Sequence, residues 1–223
     1  MPLGTARPSP LVDQVIAQLR TQIAAGEWPV GSRIPTEPEL VGRLGVARNT
    51  VREAVRALAH SGLLEIRQGS GTYVRATSEL AGMMRRRFGD ADHNDIVELR
   101  RALEVESARL AAYRRTPADL KSLDSALIRR EDAWEAGEVD AFAAADTALH
   151  QALVAAAHNP VLAGLYADLG ELVQSALRDQ MGGHLSGSAY VDHFRLVEAV
   201  RAGDPELAAA EAAAFLETPP DRP

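Results

Sequence analysis

Cysteine is absent from this 223-residue chain. Its absence excludes disulfides and thiolate metal sites and accords with a reducing compartment. Long apolar runs are missing as well. No stretch approaches the ~18 residues that a membrane-spanning helix needs, and Met1–Pro8 lacks the apolar core of a secretory signal. The expectation is a cytoplasmic protein with no membrane partner. Aromatic residues are only 4% of the chain, against 46% apolar and 25% charged. Such a composition is globular rather than disordered, with cores built from aliphatic side chains and alanine.

The net charge of −7 argues against a protein whose whole surface coats nucleic acid. Its distribution is uneven: 12 arginines and 7 acidic residues lie through Phe88, while 12 basic and 24 acidic residues follow. A basic N-terminal third on an acidic remainder suggests a nucleic-acid-binding module joined to a domain of another kind, although chance unevenness of surface charge would give the same counts.

Between Leu11 and Ala25, apolar Leu11, Val12, Val15, Ile16, Leu19 and Ile23 recur at helical spacing. Thr36, with Glu39 three residues later, opens a second short helix that breaks at Gly45. A third runs from Arg48 to His60, with Val51, Ala54, Val55 and Leu58 inward and Arg48, Asn49, Arg52, Glu53 and Arg56 outward. The period then changes. Leu64–Gln68 alternates like a strand, Gly69-Ser70-Gly71 turns, and Thr72–Arg75 returns. Three helices followed by a hairpin is the order of a winged helix-turn-helix, assigned here to residues 1–77. Residues 78–93 have no continuous apolar face and read as a linker, in part helical. Residues 94–217 read as all helix: Asn94–Arg115, Pro117 to Gly137, Asp140–Ala157, Pro160–Met181, Ser188–Ala202, and Pro205 to about Glu217, with a tail at 218–223. The fold class expected is mainly α, a winged helix-turn-helix followed by an all-α bundle.

Arg48-Asn49-Thr50-Val51-Arg52 is the most informative stretch. A helix end in a major groove needs groups that bond base edges: Arg for guanine, Asn for adenine, Thr for a phosphate or a thymine methyl. Taken alone, it is also compatible with a solvated basic face. The ordered elements Gly31–Leu40, Val51–Ala54, Gly62–Leu64 and Gln68–Val74 resemble the DNA-binding domain of the GntR family. That resemblance implies DNA contacts by Arg48, Asn49, Thr50 and Arg52, with Gln68 and Gly69 of the wing reaching the minor groove. Pro38 stands where many members have an operator-contacting Arg, so that contact is lost here.

The helical second domain resembles the FCD effector domain of the FadR-type branch, with Glu98–Glu104 similar to its first-helix signature. The resemblance assigns Arg100 to the effector pocket, where a planar guanidinium suits a carboxylate. Asp146 and His150 lie one helical turn apart on one face. By themselves such residues are usually just a surface pair or a satisfied core histidine. Resemblance adds His193 and makes the three a site for one divalent metal ion, Zn²⁺, Ni²⁺ or Mn²⁺ by ligand type. Where the family supplies a further His, this chain has Phe215; His184 is an alternative donor. The expected function is a homodimeric, ligand-responsive repressor of a pseudo-palindromic operator, controlled by a small carboxylate. A metal-free sensor of acyl ligands is one alternative. A helical metal-dependent hydrolase is another, but the chain has no H-E-x-x-H and no Gly-rich phosphate cradle, so it is not expected to be an enzyme.

Overall fold

Val12, Val15, Leu19 and Ile23 fall on one side of a helix, and in α1 (Pro10–Ala24) all four are buried. The computed structural model describes residues 10–185 and 190–216. The chain divides between Arg87 and Phe88 into two units.

In the first unit, α2 (Glu37–Leu44) begins at Thr36, whose backbone N–H and hydroxyl both donate to the Glu39 carboxylate at 2.7 Å. Helix α3 (Arg48–His60) buries Val51, Ala54, Val55 and Leu58, the face its spacing predicts. Strands β1 (Leu64–Arg67) and β2 (Gly71–Val74) pair antiparallel, Leu64 opposite Val74 and Arg67 opposite Gly71. The tip takes φ of 75° at Gly69 and 130° at Gly71, where a side chain would strain the backbone. The 31–34 segment runs along the other edge of β2: the Ile34 N–H donates to Thr72 O and the Val74 N–H to Ser32 O, both at 2.9 Å. The helices and the wing thus close over one aliphatic core.

The 78–93 stretch, expected to be a linker in part helical, contains a ten-residue helix, α4 (Glu79–Phe88). Backbone proximity holds it, so apolar periodicity does not reveal it. Gly82 sits so close to Gly62 that a Cβ there would lie 2.7 Å from the Gly62 carbonyl oxygen. Arg86 donates to the His60 carbonyl at 3.0 Å and Arg85 to the Arg75 carbonyl at 3.2 Å. Gly82→Ala is expected to push α4 off this seat at a cost of about 1–3 kcal/mol. Hydrogen exchange across Glu79–Phe88 should accelerate; unchanged protection would show the close approach to be dispensable.

The second unit comprises α5 (His93–Arg114), α6 (Pro117–Glu135), α7 (Val139–Ala156), α8 (Pro160–Met181), α9 (Phe194–Ala202) and α10 (Pro205–Ala214). Asp92, rather than the expected Asn94, caps α5, its carboxylate accepting the Asn94 N–H at 2.8 Å. Caps at Thr116, Asn159 and Asp204 accept backbone N–H groups as their residue types predict. Ala108, Ala111 and Ala112 of α5 share a core with Ala208 and Ala212 of α10 and with Leu123, Leu149, Leu153 and Leu196. Small side chains let these helices approach closely.

Two boundaries differ from expectation. The penultimate helix begins at Phe194, not Ser188, which lies outside the described residues. The groups just before it are engaged elsewhere: Tyr190 donates to Glu131 at 2.6 Å and the Val191 carbonyl accepts from Arg130 at 3.0 Å. The last helix ends at Ala214, short of Glu217, which also lies outside the described residues. Among the described residues, no helix is long and apolar enough to cross a membrane.

Candidate functional site

In the first unit, Arg48 and Asn49 are exposed in the opening turn of α3, and Thr50 and Arg52 are half-buried beside them. Both arginines converge on one carboxylate. Glu37 Oε2, at the start of α2, lies 3.2 Å from Arg52 Nη2 and 3.4 Å from Arg48 Nε. The hydrogen bond from Arg52 is the largest influence on the Glu37 carboxyl, and with Arg48 it holds that group below its usual pKa against the opposing effect of burial. All three groups are solvent-accessible, so the gain in stability is small; the effect is to aim two guanidinium groups outward. Gln68 and Gly69 are exposed at the wing tip. The hairpin beneath is braced by Ser70 Oγ, 2.8 Å from Tyr73 Oη, and by the Arg67 guanidinium, 4.4 Å from the Tyr73 ring centre.

In the second unit, Asp146, His150 and His193 come together with one ligand atom of each within 4.8 Å of the others, and all three are buried. One turn of α7 places Asp146 below His150, and His193 enters as the N-cap of α9 rather than from within a helix. The two imidazoles meet Nε2 to Nε2 at 3.1 Å. Asp146 Oδ2 lies 3.8 Å from His150 Nε2. Phe215 packs against both rings, 4.4 Å from that of His193 and 5.8 Å from that of His150. His184 is exposed after α8 and is not in the cluster.

Proton bookkeeping tests whether a cation fits. The Val191 carbonyl lies 2.9 Å from His193 Nδ1 and can only accept, so that nitrogen calls for a proton. His150 Nδ1 lies 2.6 Å from Glu104 Oε2, and neither buried atom has another partner. Two acceptors cannot rest that close, so this nitrogen also calls for a proton. With neutral rings, both Nε2 atoms are then bare lone pairs facing each other. A shared cation removes that repulsion. Nitrogens held about 2.0–2.1 Å from one tetrahedral ion are themselves about 3.3–3.4 Å apart, close to the observed separation. The donor types fit a divalent metal, with the two nitrogens near the spacing one ion needs and the Asp146 oxygen farther out, 3.8 Å from His150 Nε2.

The surrounding charges favour the ligating forms. Burial, with His150 next in importance, pushes the His193 imidazole down to about 3. Burial alone would raise Asp146, but His150, His193, Arg100 and Arg130 outweigh it and hold the carboxyl well below its usual range. Glu104 is likewise driven to about 2, as His150 and Arg100 overcome its burial. Arg100 is buried and its Nε donates to Glu104 Oε1 at 2.7 Å, while its Nη2 lies 4.0 Å from Asp146 Oδ2. Its α5 position thus brings it to the edge of the Asp146, His150 and His193 cluster.

Residues 11–74 match the family described as bacterial regulatory proteins, gntR family, and residues 95–218 match the FCD domain. The chain belongs to the GntR family. This regulator is 34% identical to Rv0494 of Mycobacterium tuberculosis, described as an uncharacterized HTH-type transcriptional regulator, over 92% of its own length and 86% of the relative's. It is 35% identical to a probable D-xylose utilization operon repressor of Paenarthrobacter nicotinovorans, over 84% of its own length and 77% of the relative's. The solved structure of Streptococcus agalactiae GntR matches with a TM-score of 0.52 at 30% identity, covering 92% of this chain and 96% of that one. The protein is a DNA-binding transcription regulator with an FCD effector domain.

Four residues of these two sites escaped sequence reasoning: Glu37, Glu104, Arg130 and Tyr166. Arg130 had left a signal. It continues the stripe Leu123, Ala126, Leu127 on α6, so helical spacing turns it inward, while neighbouring Arg129 faces solvent. Tyr166 of α8 donates to Glu104 Oε1, a contact between residues 62 positions apart that no local pattern announces.

Proposed function

We propose that this GntR-family regulator is a cytoplasmic homodimeric repressor whose grip on a pseudo-palindromic operator is set by a small carboxylate metabolite. Arg48, Asn49, Thr50 and Arg52 read the major groove, and Gln68 and Gly69 enter the minor groove. Asp146, His150 and His193 hold one divalent ion, Zn²⁺, Ni²⁺ or Mn²⁺, with Arg100 as the organic anchor of the effector. The protein acts by binding, not turnover.

The sensor half rests above all on the two Nε2 atoms facing each other at 3.1 Å. Charge supplies the effector class. Arg100 and Arg130 face Glu104, Asp146 and the half-buried Glu131, so a divalent ion leaves this cluster one positive charge in excess. An entering carboxylate offsets that excess, and when bound the ion would offer its oxygen a Lewis-acid contact. Phe215 contributes no donor, so the protein supplies three ligands and leaves coordination to the effector or water. Effector binding alters DNA affinity only to the extent that one arrangement of the dimer holds it more tightly than the other.

Arg52→Ala tests the DNA half. A bidentate base contact is worth about 1–3 kcal/mol, and a dimer makes two, so operator affinity should drop by about 2–6 kcal/mol with circular dichroism unchanged. If the variant keeps full operator affinity, or if it unfolds, the role given to Arg52 is wrong.

A further inference from the structure

Arg130 is a fully buried arginine of the second unit, 2% exposed. Each of its three nitrogens has a different partner. Nε donates to Asp146 Oδ1 at 2.7 Å, Nη2 to the Val191 carbonyl at 3.0 Å, and Nη1 to Glu131 Oε1 at 2.8 Å. Its guanidinium carbon lies 4.8 Å from the Phe142 ring centre and 5.7 Å from that of Tyr190. Burying an arginine is costly unless every donor is used, so the arrangement calls for a reason.

We infer that Arg130 is the positioning residue of the metal centre, setting two of its three ligands at once. The inference rests on the proposal that Asp146, His150 and His193 hold a metal. By occupying Asp146 Oδ1, Arg130 leaves Oδ2 as the oxygen turned toward the two imidazoles. The second effect runs through Val191. Its carbonyl accepts from both Arg130 Nη2 and His193 Nδ1. Arg130 therefore pins the acceptor that keeps a proton on Nδ1 and leaves Nε2 free to ligate. The third nitrogen extends the hold: Glu131 accepts both from Arg130 and from Tyr190, and so fastens the 190–193 segment to α6. This segment is where the expected helix fails to form, and the clamp gives the physical cause. Glu104 does the corresponding work at His150 Nδ1, so each of the three ligands has an outer partner. Such outer partners orient ligands and fix tautomers, and losing one typically lowers metal affinity about 10–100-fold.

A planar fork is required, because an ammonium is a single point and cannot serve Nε-, Nη1- and Nη2-type directions together. Arg130→Lys and Arg130→Met, in the full-length protein, separate geometry from charge. Affinity for Zn²⁺ and for Co²⁺ is measured by calorimetry, the Co²⁺ visible spectrum reports ligand geometry, and the apo melting temperature reports fold. The expected result is a loss of about 10–100-fold in metal affinity for Arg130→Lys, with a changed Co²⁺ spectrum and a folded apoprotein. Arg130→Met should lose at least as much. Should Arg130→Met not fold, Arg130→Lys decides. Wild-type affinity and spectrum in a folded Arg130→Lys would overturn the role of Arg130 while leaving the metal site standing. A wild-type protein that binds neither ion would overturn the metal site, and this inference with it.

Discussion

Raising the salt concentration from 50 to 200 mM is expected to weaken operator binding by about 10³–10⁵, read by fluorescence anisotropy on a labelled duplex. The magnitude follows from counterion release. A dimer of this size that neutralises about 6–10 phosphates displaces a condensed cation for nearly every contact, and the loss is steep in the logarithm of salt. The groups available are the arginines that follow from the uneven charge of the chain: Arg48 and Arg52 on α3, and Arg67 on the wing. Arg48 and Arg52 are paired with Glu37 in the free protein, and that pairing has to be exchanged for DNA contacts on binding. A flat salt dependence would remove the basis for reading the first unit as a DNA-binding domain.

The second large effect concerns the metal. His150→Ala is expected to strip the ion and lower thermal stability, because a ligand that binds only the native state stabilises it by about 4 kcal/mol at a concentration 1,000 times its Kd. Phe215→His is the sharper experiment. The Phe215 ring already lies against His193, 4.4 Å between centres, so an imidazole introduced there has the cluster within reach. Metal affinity should rise as a fourth protein ligand is added. Effector affinity should fall, because the added ligand takes the place where a carboxylate oxygen would bind. Movement of the two affinities in opposite directions is the expected signature, measured by calorimetry with metal first and with candidate carboxylates second. If both affinities stay at wild-type values, Phe215 does not border an open coordination position.

Much of the regulator was legible as a pattern of single residues. The switch from helical period to alternation at Leu64 marks the wing, because side chains on a strand alternate sides whereas those on a helix return every three to four residues. Val51, Ala54, Val55 and Leu58 point inward in α3 for the same reason, which turns Arg48, Asn49 and Arg52 outward. Asp146 and His150 share a face of α7 because they are one turn apart. Residue types at helix starts worked equally well at Thr116, Asn159 and Asp204, since a cap needs only its own side chain and the next three amides.

Tertiary structure decided the rest. Helix α4 eluded apolar periodicity because two glycine backbones seat it. The 190–193 segment eluded it because its carbonyl and hydroxyl are held by Arg130 and Glu131, about 60 positions away. Arg100 was legible as an arginine on α5, one turn from Glu104, but not as the neighbour of Asp146 on another helix. The sequence alone determined which faces would be buried and which residue types would meet there, since that information is local and periodic. Only the packed bundle determined which charges pair across helices and which histidine nitrogens meet. Those depend on distances of 2.6–4.0 Å between side chains on different helices, and no periodicity along one chain segment encodes them.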